Sequence, residues 1–207
     1  MSATIQFIFD FGSPNVYLAY RVLPPILERT GARLAINPCL LGGIFKATGN
    51  QAPSIAFAAI KGKVEYEMLE FRRFIAKHRL DKFRMNPHFP VNTLMLMRGF
   101  VAAREAGAEA AYLEMGLEGL WEEGLKLDDP DVLARRLDAA GLDSESLLAA
   151  AQSPPIKQKL ADNIAAAVAR GVFGMPTFFV GDEMFFGKER LGQVEEAVEM
   201  MTARAAS

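Results

Sequence analysis

Cysteine is almost missing from this chain. Cys39 is the single one among 207 residues, so an internal disulfide framework is excluded. With only His78 and His88 beside it, a zinc site is not expected, although carboxylate-bound metals stay open. No glycine-rich phosphate loop of Walker or Rossmann spacing occurs. No apolar run approaches the roughly 20 residues of a membrane span. The start, MSATIQFIFDFGSP, has neither a basic leader nor a signal-type cleavage pattern. The net charge is −2, which gives no basic footprint for nucleic acid, and charges of both signs are interspersed. A cytoplasmic protein without nucleic-acid or membrane partners is expected. With 51% hydrophobic and 23% charged residues, the composition is that of an ordinary globular chain. The length suits one domain, or one domain carrying a large insertion.

What is present follows a characteristic order. Residues 4–9, TIQFIF, read as a strand rich in β-branched and aromatic side chains. A helical pattern runs from Ser13 to about Arg29, and Leu23-Pro24-Pro25 predicts a kink or a break. Residues 32–38 read as a second strand, giving a β-α-β start with parallel pairing. In the middle, Val64, Met68, Phe71 and Ile75 share one helical face. Residues 92–107 and 108–124 continue as helix, interrupted near Gly107. Asp129-Pro130 is a cap followed by a favoured first-turn proline, with Gly141 at the far end. Ile156, Leu160, Ile164 and Val168 mark another amphipathic helix that stops at Gly171. The end returns to strand chemistry: 177–180 and 183–186 form a hairpin around Gly181-Asp182. A last helix from about Lys188 turns Leu191, Val194, Ala197 and Val198 inward. Neither terminal part is a complete sheet, so the two are expected to pair into one, with the helices as a cap.

Ser13-Pro14 stands where the first strand hands over to the first helix. Proline fits a first turn because its missing N–H is not needed there. The serine is either an N-cap alone, or a hydroxyl that donates to an anion beside free N–H groups and the positive end of the helix dipole. No histidine is near in sequence, which disfavours a serine-hydrolase role.

The chain resembles the 2-hydroxychromene-2-carboxylate isomerases and the kappa-class glutathione transferases, within the DsbA-like group. The matching residues are Phe9-Asp10-Phe11-Gly12-Ser13-Pro14 with Tyr17-Leu18-Ala19, Gly49-Asn50, Phe173-Gly174-Met175-Pro176-Thr177, and Phe185-Phe186-Gly187-Lys188-Glu189-Arg190-Leu191. The resemblance implies an α/β, thioredoxin-like fold with a large all-helical insertion: residues 1–41 and 172–207 as a discontinuous thioredoxin-like domain, 42–171 as the insertion. The Cys-x-x-Cys positions of thioredoxin-like oxidoreductases read Ser13-Pro14-Asn15-Val16 here, so dithiol exchange cannot run there.

The resemblance further implies glutathione as cosubstrate, with its thiolate at Ser13. It implies a cis Met175–Pro176 bond, with the backbone of Met175 pairing with the cysteinyl part as a short β-augmentation. Phe186, Gly187, Lys188 and Glu189 would receive the γ-glutamyl end, and Lys188, in place of a small polar residue, adds a cation. On the substrate side Lys46 lies one place from the family's lysine, while its Asn-Arg pair falls at Ile55-Ala56 and its tyrosine at about Val91. Lys46, Asn50, Arg84, Asn86, His88 and Asn92 are candidates to line a pocket for a small aromatic substrate; for the 84–92 loop, the other reading is a structural loop with turn-forming prolines. The activity implied is a cis–trans isomerisation by thiolate addition and elimination, and the assembly a homodimer. A kappa-like transferase and a non-catalytic thiol-peptide or protein binder are the alternatives. Cys39 reads as a buried inert thiol, His78 as part of a solvated face, and Trp121 as core or an oligomer contact.

Overall fold

The structure, a computed structural model, describes residues 2–206. Four strands make one mixed sheet in the order β2-β1-β3-β4. Strand β1 (Thr4–Phe9) is central, with Ile5, Phe7 and Phe9 fully buried. It pairs in parallel with β2 (Arg33–Pro38), Ile5 opposite Leu34. On its other side it pairs antiparallel with β3 (Thr177–Val180), Phe7 opposite Phe178. Strand β4 (Glu183–Phe186) completes the hairpin around Gly181-Asp182, with Gly181 at φ 60°. The two terminal parts of the chain thus share one sheet, as their incomplete strand patterns predicted.

Helix α1 (Pro14–Thr30) connects β1 to β2. Pro24 and Pro25 do not break it. Both are exposed, and each leaves one carbonyl, that of Tyr20 or of Arg21, without its helical donor. Between β2 and β3 come α2 (Leu41–Thr48), the short α3 (Pro53–Ala56), α4 (Lys63–His78), α5 (Leu94–Glu105), α6 (Glu109–Trp121), α7 (Pro130–Ala139), α8 (Ser144–Gln152) and α9 (Pro154–Ala169). A 3₁₀ turn (Lys188–Arg190) precedes α10 (Leu191–Ala206), which packs on α1 and β3. Asp129 caps α7 through the N–H groups of Asp131 and Val132, the cap its spacing announced. Helix α5 lies between α6, α8 and α9 and reaches β2.

Aromatic rings carry the sheet into the helices. The Phe9 and Phe11 rings meet edge to face at 4.8 Å. Phe11 meets Phe100 of α5 at 5.4 Å, and Phe100 stacks on Tyr112 of α6 at 6.0 Å. Trp121 is core: it is fully buried and its indole N–H donates to the Phe11 carbonyl at 2.8 Å. His78 is half-buried, its ring against Phe74 with centroids 4.4 Å apart. Their i, i+4 spacing puts both rings on one side of α4.

Gly116 of α6 lets Phe11 lie against the helix backbone, since a Cβ there would come within 2.5 Å of the ring. Gly116→Ala is therefore expected to cost about 1–3 kcal/mol by overpacking, in spite of alanine's better helix propensity. Urea unfolding measures this as a lower midpoint at unchanged slope.

Candidate functional site

Strand direction brings the site together. The C-terminal ends of β1, β2 and β4 and the start of β3 lie at one end of the sheet. From that end emerge the Asp10–Ser13 turn, Cys39 with the head of α2, the Met175-Pro176 segment and Gly187–Glu189.

Asp10 fastens this end. Its buried carboxylate accepts from Gly12 N–H at 2.9 Å, from Leu41 N–H at the head of α2 at 2.7 Å, and from the Thr93 hydroxyl before α5 at 2.6 Å. Burial pushes its pKa up, and the three donors only partly oppose this. Thr93 also sits under Gly12, where an added Cβ would be 3.2 Å from its side chain. The 86–93 segment is thereby seated beside the turn that carries Ser13.

Ser13 is buried, at 6% exposure, and caps α1. Its Oγ accepts from Val16 N–H at a long 3.4 Å, and its own O–H donates to nothing among the described residues. The Asn15 N–H is equally unengaged, and Asn15 Oδ1 is a buried polar atom without a partner. The first turn of α1 contains no acidic residue, so the positive end of its dipole is uncompensated there. Rotation of the Asn15 amide would replace that acceptor with a donor.

The Met175–Pro176 bond is cis, and Met175 is buried. The loop is held on both sides: Thr177 Oγ1 donates to Gly174 O at 2.8 Å, and Gly187 N–H donates to Pro176 O at 2.9 Å. Between those anchors the N–H and C=O of Met175 have no partner among the described residues. Gly187 needs its glycine, since φ is 102° there. Its N–H is used within the loop, whereas those of Lys188 and Glu189 are unengaged among the described residues.

Lys188 does not lie on a solvated helix start. It is 6% exposed, paired with Glu189, and its ammonium stands 5.6 and 5.3 Å from the Phe71 and Phe74 rings of α4. Phe186 (42% exposed) and Phe173 (39%) form an open ring pair at 4.6 Å, and Phe186 lies over Gly174. Asn50 donates to Phe173 O at 2.8 Å and accepts from Gln51 N–H, so its amide fastens the end of α2 to this loop.

The polar loop candidates divide. Asn86 is buried, and its amide clamps Leu120 O and Leu125 O at 2.9 Å each while accepting from His88 N–H. Asn92 accepts from Leu94 N–H at 3.1 Å, and Arg84 donates to the carbonyls of Asp81 and Phe83. These three hold the loop's shape. The His88 side chain and the Lys46 ammonium are exposed and have no side-chain partner among the described residues. Cys39 is buried; burial, then Asp10, pushes its thiol up to about 12, and its Sγ donates to Asn163 O at 3.4 Å.

Asp10, Thr93, Asn15 and Phe173 are the residues that sequence reasoning did not single out. Asp10 and Phe173 stood inside quoted motifs. Nothing local marked Thr93, which meets Asp10 across 83 positions of chain.

The DSBA-like thioredoxin domain matches residues 4–199. The chain belongs to that family. The 2-hydroxychromene-2-carboxylate isomerase of Sphingobium xenophagum is 30% identical over 197 residues, covering 94% of this chain and 97% of that protein. A solved 2-hydroxychromene-2-carboxylate isomerase superimposes with a TM-score of 0.82 at 27% identity, covering 98% of each chain. Human glutathione S-transferase kappa 1 is 24% identical over 207 residues, covering 91% of this chain and 87% of that protein. The fold is accordingly the thioredoxin-like one with many helices added. Within it, Ser13 and Val16 stand at the ends of the Ser13–Val16 stretch, and neither carries sulfur.

Asp10→Ala would strand three donors and is expected to cost about 2–4 kcal/mol. Because burial raises the folded-state pKa of Asp10, its contribution is fullest below the unfolded value and shrinks as pH rises through the folded one. Urea midpoints of wild type and Asp10→Ala compared from acid to pH 8.5 should converge toward high pH.

Proposed function

We propose that this chain is a glutathione-dependent isomerase acting on an aromatic 2-hydroxychromene-2-carboxylate or benzylidenepyruvate-type substrate. The observation that carries this reading is the head of α1. There a Ser13 O–H with no acceptor, an unengaged Asn15 N–H and an uncompensated helix dipole converge, at the same sheet end as the open peptide edge of Met175. Such donors suit a sulfur anion, and the Met175 edge suits an extended peptide. An unperturbed thiol ionises near about 8.5, and a drop of two units corresponds to roughly 2.7 kcal/mol of preference for the anion. A hydroxyl donor and a helix terminus together are of that size.

Ser13 holds the charge on sulfur and attacks nothing itself. Met175 fixes the cysteinyl backbone, and the unengaged N–H groups of Lys188 and Glu189 fit a terminal carboxylate. Lys188 contributes through packing, since its charge is already met by Glu189 and the α4 rings. Bound there, the thiol supplies a nucleophile that adds to a conjugated position and leaves again after rotation about the temporarily single bond. Lys46, His88 and the Phe173–Phe186 pair are the side chains left free to meet an aromatic acid.

A kappa-like transferase uses the same anion site, and the match to a kappa-class protein favours it as the second reading. Incubation with glutathione and an electrophilic aryl halide separates the two, because a transferase accumulates the conjugate.

Ser13→Ala should lower glutathione-dependent turnover about 100-fold, the size seen when one preorganised donor to a developing charge is removed. Its unfolding free energy in urea should fall by no more than about 1 kcal/mol, the worth of a weak cap. Unchanged turnover would remove Ser13 from the reaction.

A further inference from the structure

Helix α4 turns one side to the protein and leaves the other open. Phe71 is its single buried residue, with Phe74, Ile75 and His78 half-buried beside it. On the opposite side Tyr66, Leu69, Arg72, Arg73 and Lys77 are all exposed, and spacings of three and four residues place them along one stripe. The stripe changes character along its length. Its first half is apolar, with Ile60 exposed just before the helix and Tyr66 and Leu69 within it. Its second half is basic and continues past the helix through Arg79 and Lys82. Of the twelve exposed large apolar side chains among the described residues, seven lie between residues 55 and 89. Such a concentration differs from the single, scattered exposure that needs no explanation.

Between residues 72 and 82 stand five cations and one acid, Asp81. The net charge of −2 conceals this, because it averages over the whole sequence. Arg73 is paired with Glu70, and Lys82 faces Glu122 at 3.6 Å. Arg72, Lys77 and Arg79 have no carboxylate partner among the described residues. Glu67 is paired with Lys63, which leaves Glu65 as the one acid of α4 without a cation among the described residues. An exposed apolar stretch thus runs directly into uncompensated positive charge on one helix face.

We propose that this face of α4 rests on an anionic lipid surface, with Ile60, Tyr66 and Leu69 among the headgroups and Arg72, Lys77 and Arg79 at the lipid phosphates. A basic face joined to exposed apolar side chains is the pattern of a helix that lies in the membrane interface. A nucleic acid would answer the cations and leave the apolar half of the stripe in water. A second copy of the chain docked through the same face would set like charges against each other, with only Glu65 to answer them. None of the stripe's residues is among those of the Ser13 site, so the surface stands apart from the thiol reading.

Co-sedimentation of the full chain with lipid vesicles tests this. Phosphatidylcholine vesicles carrying about 30% phosphatidylserine should bind it at least tenfold more tightly than phosphatidylcholine alone. Arg72→Gln combined with Lys77→Gln should weaken binding to the charged vesicles roughly 25-fold, at about fivefold for each cation near such a surface. Tyr66→Ser combined with Leu69→Ser should weaken it about tenfold, through the lost apolar contact. All four positions are exposed, so the urea midpoints of both double variants should match wild type, and Ser13→Ala should bind vesicles as wild type does. Absence of binding to the charged vesicles, binding that ignores either pair of substitutions, equally tight binding of a single-stranded RNA, or an oligomer that the Tyr66 and Leu69 substitutions dissociate would overturn the proposal.

Discussion

The buried carboxylate of Asp10 is the constraint on which the working end of this molecule depends. Three separate starts converge on it: the turn into α1, the head of α2 and the Thr93 hydroxyl before α5. A carboxylate offers two oxygens and about four acceptor positions, which is why one side chain can serve three donors. Burying it is costly, and the raised pKa is the sign of that cost. In return, the turn before Ser13 is tied at once to the sheet and to the helical insertion. The Trp121 bond to Phe11 O adds a second tie from α6.

With the framework held elsewhere, the groups at the site remain unused. Ser13 O–H, Asn15 N–H, and both peptide groups of Met175 lack partners among the described residues. The first N–H groups of any helix lack partners within it, but Ser13 and Met175 are buried, where polar groups are ordinarily satisfied, and a ligand is the partner we propose for them. The neighbouring groups show the contrast. Gly187 N–H, the amides of Asn50 and Asn86, and the Thr177 hydroxyl are all engaged in holding loops.

Much of this was legible in the residues. β-Branched and aromatic content gave β1, the turn at Gly181-Asp182 gave the β3–β4 hairpin, and capping chemistry gave the heads of α1 and α7, because these signals are local. The same locality explains the failures. Pro24-Pro25 read as a kink or a break, and α1 runs unbroken from Pro14 to Thr30 through both, because the packed faces of the helix outweigh the bonds the prolines remove. Lys188 read as a cation for the γ-glutamyl end, and only the tertiary approach of Phe71 and Phe74, with Glu189, shows its charge already met. Asn86 looked like pocket lining, and its partners Leu120 and Leu125 lie more than thirty positions away. Short helices such as α3 and α8 carry too few turns for a periodic pattern to show.

Ionisation of the sulfur at the head of α1 is open to spectroscopy. Ultraviolet absorbance of the thiolate, followed against pH with saturating glutathione on the protein, reports the ionisation of the bound sulfur. The apparent pKa is expected at least one unit below that of free glutathione in the same buffer. A bound thiol that ionises at the same pH as the free one would contradict this.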